Sequence, residues 1–202
     1  MRSVVIEIQH PCRKAVAPMM GKLPANVFTK SNWLLDVGLG MLDVVCHAMN
    51  ATSFYKRSNF VTHLPVECLY SPSHFWLANV GGRKWRVGFT KFATRMLGEI
   101  VEVRFEKTAG ASLESGEIVG SIEGFKAISD LYSCANGIFS AANPALASAV
   151  EKVGENPYGE GWLYEIEGTP DEKCVPLDAY RTMLDATIDR ILEKQKHEED
   201  QP

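Results

Sequence analysis

Lys126 is the residue of this chain whose setting raises a chemical question. It stands in "EGFKAISDLYS" (123–133), between two short apolar runs, with Glu123 and Asp130 to either side. The run holds no nucleophile–base pair and no metal-ligand spacing, so an isolated lysine here offers its ε-amine at the far end of a flexible stem. Elsewhere, Asp43 and His47 lie at i, i+4 and could reach one metal ion. With no third ligand in view, an ion pair or a solvated face is the better reading of that pair. The five cysteines, Cys12, Cys46, Cys68, Cys134 and Cys174, are odd in number, widely spaced and without a CxxC. That supports neither a zinc ribbon nor a thioredoxin-type pair. Reduced thiols in a cytosol-like compartment follow, which places the chain in the cytoplasm.

Composition narrows the partners. The 202 residues are 46% apolar and 23% charged, ordinary for a globular protein with a real core. A formal charge of −4 argues against nucleic acid as the main partner, because phosphate-binding surfaces carry a basic excess. The first thirty residues run the other way, with Arg2, Arg13, Lys14, Lys22 and Lys30 against one acid, Glu7. That stretch is poor in Ser and Arg, so a mitochondrial or other organelle transit segment is the weaker reading, and it lacks a secretory apolar core. "WLLDVGLGMLDVVCHAM" is too short to span a bilayer and carries two aspartates. It reads instead as a buried helix, with Asp36, Gly40, Asp43 and His47 forming one polar stripe and Ser31 or Asn32 capping the start. The closing "EKQKHEEDQP" reads as a solvated, charged helix end.

The elements that would position Lys126 follow from pattern. Residues 1–66 read as an N-terminal extension with one apolar helix, ending in a polar connector, "TSFYKRSNFVTHLP". Residues 67–168 carry strands and turns. Two strand-like runs flank Gly81-Gly82, Thr90 caps a short helix that Gly98 ends, and "EIVEVRF" alternates as a strand. "IVGSIEGFKAISDLYS" predicts two strands meeting at a tight turn around Phe125-Lys126. A further turn is expected at Asn136-Gly137, then a short helix in "NPALASAVEKVG" and a closing strand. Residues 169–202 hold a helix whose apolar stripe is Leu177, Tyr180, Leu184, Ile188 and Ile191 or Leu192, followed by the charged tail. The fold class is β-rich α+β with helical trim. Gly137, Gly159 and Gly161 are expected to serve backbone turns, and Tyr158 and Trp162 packing.

Three blocks carry a family resemblance. "VGFTKFATRMLGEIVEV" resembles the strand, short helix and strand of the H proteins of the glycine cleavage system. "GSIEGFKAISDLYS" is similar to that family's lipoyl-attachment segment, Glu-Ser-Val-Lys-Ala-Ala-Ser-Asp, and "ENPYGEGWLYEIE" to its Asp-Pro-Tyr-Gly-Glu-Gly-Trp ending. "YSPSHFW" resembles the family's opening, and all occur in order between about Leu69 and Leu192. The resemblance implies a barrel-sandwich hybrid, the fold of lipoyl and biotinyl carriers, with flanking helices. Lys126 would stand at a hairpin tip and bear covalent lipoate, while Glu123, Ala127 and Asp130 would be read by the lipoate-attaching enzyme. A biotin carrier is disfavoured, because that family brackets its lysine with methionines and here the neighbours are Phe125 and Ala127.

On this reading the chain is no enzyme by itself. The resemblance implies a carrier that takes an aminomethyl group from a pyridoxal-phosphate glycine decarboxylase to a folate-dependent aminomethyltransferase, and then meets a flavin-bearing dihydrolipoamide dehydrogenase. An alternative is an H-like lipoyl carrier serving another pathway, such as sulfur oxidation or lipoate relay; a third is a carrier-derived binding module whose lysine stays unmodified. His74 and Phe75 are candidate cargo-cleft residues. The chain departs from the family where Phe75 replaces a glutamate thought to hold the loaded arm, where Gly124 and Phe125 replace Ser and Val, and where Cys134 replaces a proline. Residues 1–66 have no counterpart in the simple carrier.

Overall fold

The computed structural model describes residues 51–199. The expected apolar helix, the Asp43–His47 pair, Cys12 and Cys46 lie outside the described residues. Three antiparallel sheets organise the rest. A hairpin of β1 (Thr52–Arg57) and β2 (Phe60–Pro65) forms the first. The second has six strands, in the order β3 (Leu69–Tyr70), β4 (Phe75–Gly81), β5 (Lys84–Phe89), β11 (Tyr164–Pro170), β10 (Ala135–Ala142) and β7 (Ser112–Leu113). The third is β6 (Ile100–Phe105), β8 (Ile118–Gly124) and β9 (Ile128–Tyr132). Helix α1 (Lys91–Leu97), a 3₁₀ turn at Pro144–Ala147, the one-turn α2 (Lys152–Glu155) and the long α3 (Leu177–Glu199) complete the described chain. This is the barrel-sandwich architecture, with helices at its flanks.

The strand period of two explains why there are two cores. On β4, Phe75 and Leu77 face the cluster enclosed by the six- and three-stranded sheets, with Phe89, Ile122, Leu131 and Tyr164. Trp76 and Ala78, on the other face of the same strand, enter a second cluster with Tyr55, Leu64, Tyr70 and Tyr180. Burial on both faces is why "FWLA" is continuously apolar rather than alternating. The second core is closed by α3, whose Leu177, Tyr180, Leu184 and Ile188 are buried as the stripe predicts. Burying a large apolar side chain of this kind is worth about 1.5–3 kcal/mol, so the helix is no passive attachment.

Two local expectations are corrected. "TSFYKRSNFVTHLP" is not a connector. It is the β1–β2 hairpin, in which Phe60, Thr62 and Leu64 alternate inward and Ser58, at φ 50°, takes the left-handed turn position. Tyr55, Phe60 and Leu64 pack in the same cluster as Tyr70 and Tyr180, so the second core runs across position 66. Nor do Asn136 and Gly137 form a turn: both lie within β10. A Cβ on Gly137 would sit 2.2 Å from the carbonyl oxygen of Glu167, so the glycine serves close approach of β10 and β11. The Thr90 cap and the Gly98 stop stand as expected: Thr90 Oγ1 accepts from Ala93 N–H, and the N–H of Gly98, at φ 81°, reaches Thr94 O.

Candidate functional site

The β8–β9 hairpin presents Lys126. Three residues, Phe125, Lys126 and Ala127, join the strands, and the Gly124 N–H closes the turn on Ala127 O at 2.9 Å. The tip does not stand free of the body. Phe125 N–H donates to Glu99 O at 2.7 Å and Lys126 N–H to Leu97 O at 3.0 Å, docking the turn on the end of α1. That docking explains Gly124, since a Cβ there would lie 2.4 Å from Leu97 O. With the backbone fixed, the Lys126 side chain is exposed, its stem passing over Gly98. The turn holds the amine at the edge of the molecule while leaving it accessible.

Pairing sorts the neighbours of Lys126 into two faces. Glu123 pairs with Ile128 and Ser121 with Asp130, so these four share the outer face, whereas Ile122 and Leu131 point into the core. Glu123, Ile128 and Asp130 are exposed together beside the lysine. Phe125 is 82% exposed and Ile128 64% exposed, an apolar pair at a place where solvent alone would favour polar residues. The sequence singles out the two acids as recognition candidates and gives no sign that this apolar pair faces outward. Residue type at the turn is legible there; side-chain direction is not.

Two recesses flank the tip on either side of the end of α1. One is a cleft of about 230 Å³ between α1, the hairpin residues Ala127–Ser129 and the last turns of α3. Its walls are mostly apolar, and α3 contributes Thr187, Arg190, Ile191 and Lys194. The other is a polar groove of about 520 Å³ holding Lys126 with Glu99, Glu151 and Glu155, and with Lys91 and Arg95.

The two cleft candidates separate. His74 lines the apolar cleft, in the left-handed region at φ 63°. Its Nδ1 lies 2.9 Å from the Tyr180 hydroxyl, which donates to Thr90 Oγ1. Burial pushes the imidazole down to about 4, so it is neutral at physiological pH. Phe75 instead points into the first core, stacked on Phe89 at 4.4 Å, and does not line the cleft. As the first residue of β4, it follows the strand alternation inward. Phe75 therefore backs the cleft from the core, stacked behind Phe89, which lines it.

Other candidate chemistry is sparse. Cys68, Cys134 and Cys174 are free thiols, and burial pushes Cys68 and Cys174 up to about 12. Such thiols are poor nucleophiles. Among the described residues no group of three His, Cys, Asp or Glu could hold a metal ion, and no helix is long and apolar enough to cross a membrane. The "PYGEGW" segment serves packing: Trp76 Nε1–H donates to Pro157 O, Tyr158 accepts from Lys91 N–H, and Arg86 lies over Trp162.

Comparison with known proteins gives this architecture its relatives. The chain is 40% identical over 124 residues to the glycine cleavage system H protein of Corynebacterium jeikeium, a span of 60% of this chain and 97% of the relative. It is 35% identical over 125 residues to the protein of the same name from Rubrobacter xylanophilus, covering 62% of this chain and 98% of that one. Among solved structures, a glycine cleavage system H protein from Mycobacterium marinum superposes with a TM-score of 0.53 at 30% identity, over 58% of this chain and 95% of the other. Residues 68–185 match the family model for the glycine cleavage H-protein, and the chain belongs to that family.

Proposed function

We propose that this chain is the lipoyl-bearing carrier of a glycine cleavage system, with Lys126 as the attachment residue. The observation that carries this reading is the tip itself: an exposed lysine on a turn pinned by two backbone hydrogen bonds, at 2.7 and 3.0 Å. The residues present suit an amide-linked arm. The Lys126 amine is accessible, its stem runs over a glycine that leaves room, and an apolar cleft opens beside it. When bound, lipoate supplies a dithiolane that can take up and release a group by reductive opening.

The protein's own residues hold the arm and display it. Leu97 and Glu99 fix the turn through their carbonyl oxygens, which keeps Lys126 at the tip. Glu123 and Asp130, with Ala127, form the surface read by the lipoate-attaching enzyme. Both carboxylates lie on one outer face, where a partner can read them together with the exposed Ile128. The partners are the lipoate-attaching enzyme, a glycine decarboxylase, an aminomethyltransferase and a dihydrolipoamide dehydrogenase, with pyridoxal phosphate, folate and flavin confined to those enzymes. The chain acts as their shared substrate and not as a catalyst. His74 belongs to the cleft wall and Phe75 supports that wall from the core through Phe89. The free thiols suit the cytoplasm.

Peptide mapping by mass spectrometry of the protein from its own host tests the attachment. A lipoyl-sized addition on Lys126 is expected. An unmodified Lys126 in cells whose other lipoyl proteins are loaded would sink the carrier reading. Glycine–bicarbonate exchange with the partner enzymes then tests the pathway, with exchange dependent on the lipoylated chain as the expected result.

A further inference from the structure

The attachment turn also caps a helix. The last carbonyls of a helix have no partner within it. At the end of α1 the Leu97 carbonyl instead accepts the Lys126 N–H at 3.0 Å, and the Glu99 carbonyl just beyond accepts the Phe125 N–H at 2.7 Å. Two glycines make this approach possible. A Cβ on Gly124 would lie 2.4 Å from the Leu97 oxygen, a backbone atom that cannot swing aside. A Cβ on Gly98 would lie 3.1 Å from Cγ and 3.3 Å from Cδ of Lys126, so it would lift the lysine stem off the end of the helix. One glycine lets the turn come down, and the other lets the side chain lie across it.

We propose that Gly124 and Gly98 are positioning residues for attachment at Lys126, and that the attaching enzyme needs the docked turn and not merely an exposed amine. The inference rests on Lys126 bearing lipoate. Attachment forms an amide: Nζ attacks an activated lipoyl carboxyl group that the enzyme supplies, loses a proton and expels the activating group. Such an attack requires the reacting atoms to lie about 3–3.5 Å apart and aligned. A long side chain on a loose turn spreads its amine over many positions. A pinned turn removes the backbone part of that freedom before the enzyme arrives. A small soluble acylating reagent reaches the amine from any open side and needs no such placement.

The test uses the full chain, unaltered and in three variants. Gly124→Ala raises the turn and Gly98→Ala displaces the stem. Gly82→Ala, at φ 57° between β4 and β5 with nothing within 4 Å of the added Cβ, controls for backbone strain alone. Thermal melts select conditions in which every chain is folded. In Gly124→Ala the Phe125 and Lys126 amides should exchange with deuterium roughly tenfold faster. Its kcat for lipoylation should fall roughly 10- to 100-fold with a smaller change in KM, because Glu123 and Asp130 are untouched. Gly98→Ala should fall less, since the lysine stem can bend away, and Gly82→Ala should match the unaltered chain. Acetylation of Lys126 by sulfosuccinimidyl acetate, mapped by mass spectrometry, should stay level in all four. Undiminished attachment in Gly124→Ala, amides that exchange no faster, or acetylation that falls in step with lipoylation would each overturn the inference and leave the carrier reading standing. An unaltered chain that accepts no lipoate on Lys126 would sink both.

Discussion

Two hairpins of this protein, one closed by two residues and the other by three, have opposite fates. The β1–β2 hairpin is tied down along its length: Tyr55 Oη donates to Asp185 at 2.7 Å, Arg57 reaches Asp189 at 2.5 and 3.0 Å, and Arg181 donates to Phe54 O at 2.8 Å. The β8–β9 hairpin is held at its backbone and leaves Phe125 and Lys126 exposed. The first closes a core; the second offers a lysine. A hairpin becomes a candidate site when the backbone is fixed and the side chains are left without partners of their own.

Lys126→Arg gives the largest contrast. It keeps the charge but removes the amine that amide formation needs, so modification should fall to nothing while thermal stability stays within about 0.5 kcal/mol. Intact mass after treatment with the lipoate-attaching enzyme, with a parallel melt, checks both halves. Leu64→Ala on the other hairpin should do the reverse. Leu64 is 1% exposed in the second core, and truncation there should cost about 2–5 kcal/mol in urea unfolding. Lysine modification of the folded fraction should persist. Loss of modification at temperatures where Leu64→Ala remains folded would mean that the two hairpins are coupled.

Much of the region around Lys126 is legible in the sequence because its signals are local. The Thr90 cap, the Gly98 stop and the apolar stripe of α3 depend on residues within a few positions of one another, and each stands where its pattern puts it. The β1–β2 hairpin escapes that kind of reading because its Ser58-Asn59 turn has no glycine to announce it, and its polar residues look like a connector. Gly124 gives no reason for itself in sequence; the reason is a carbonyl at Leu97, brought near by the docked turn. Nor can the cleft be read, since its walls come from α1, β9 and α3, elements far apart along the chain.

His74 joins the second core to the cleft, and its titration sharpens the comparison. Its folded value near 4 lies below the ordinary 6.5, so the folded chain favours the neutral ring. As pH falls from 6.5 towards 4 the unfolded chain takes up a proton that the folded chain refuses. Stability is therefore full above that window and declines within it, by up to about 3 kcal/mol. His74→Asn, which tolerates the left-handed backbone, should flatten this part of the pH profile. Urea midpoints measured from pH 7 to pH 4.5 would show it, and an unchanged acid slope would remove His74 from the account.

The smallest expected effect tests how the covering hairpin is held. Tyr55→Phe keeps the ring in the second core and deletes the hydroxyl that donates to Asp185. A net hydrogen bond of this kind is worth about 1 kcal/mol, and the half-exposed Asp185 can turn to water when it is lost. The loss should therefore stay well below that of Leu64→Ala, because apolar burial and not the polar tie supplies most of the hold. If Tyr55→Phe cost as much as the leucine truncation in the same urea titration, the balance would be inverted: the hairpin would be held chiefly by its polar edge on α3, and raising the salt concentration should then loosen it.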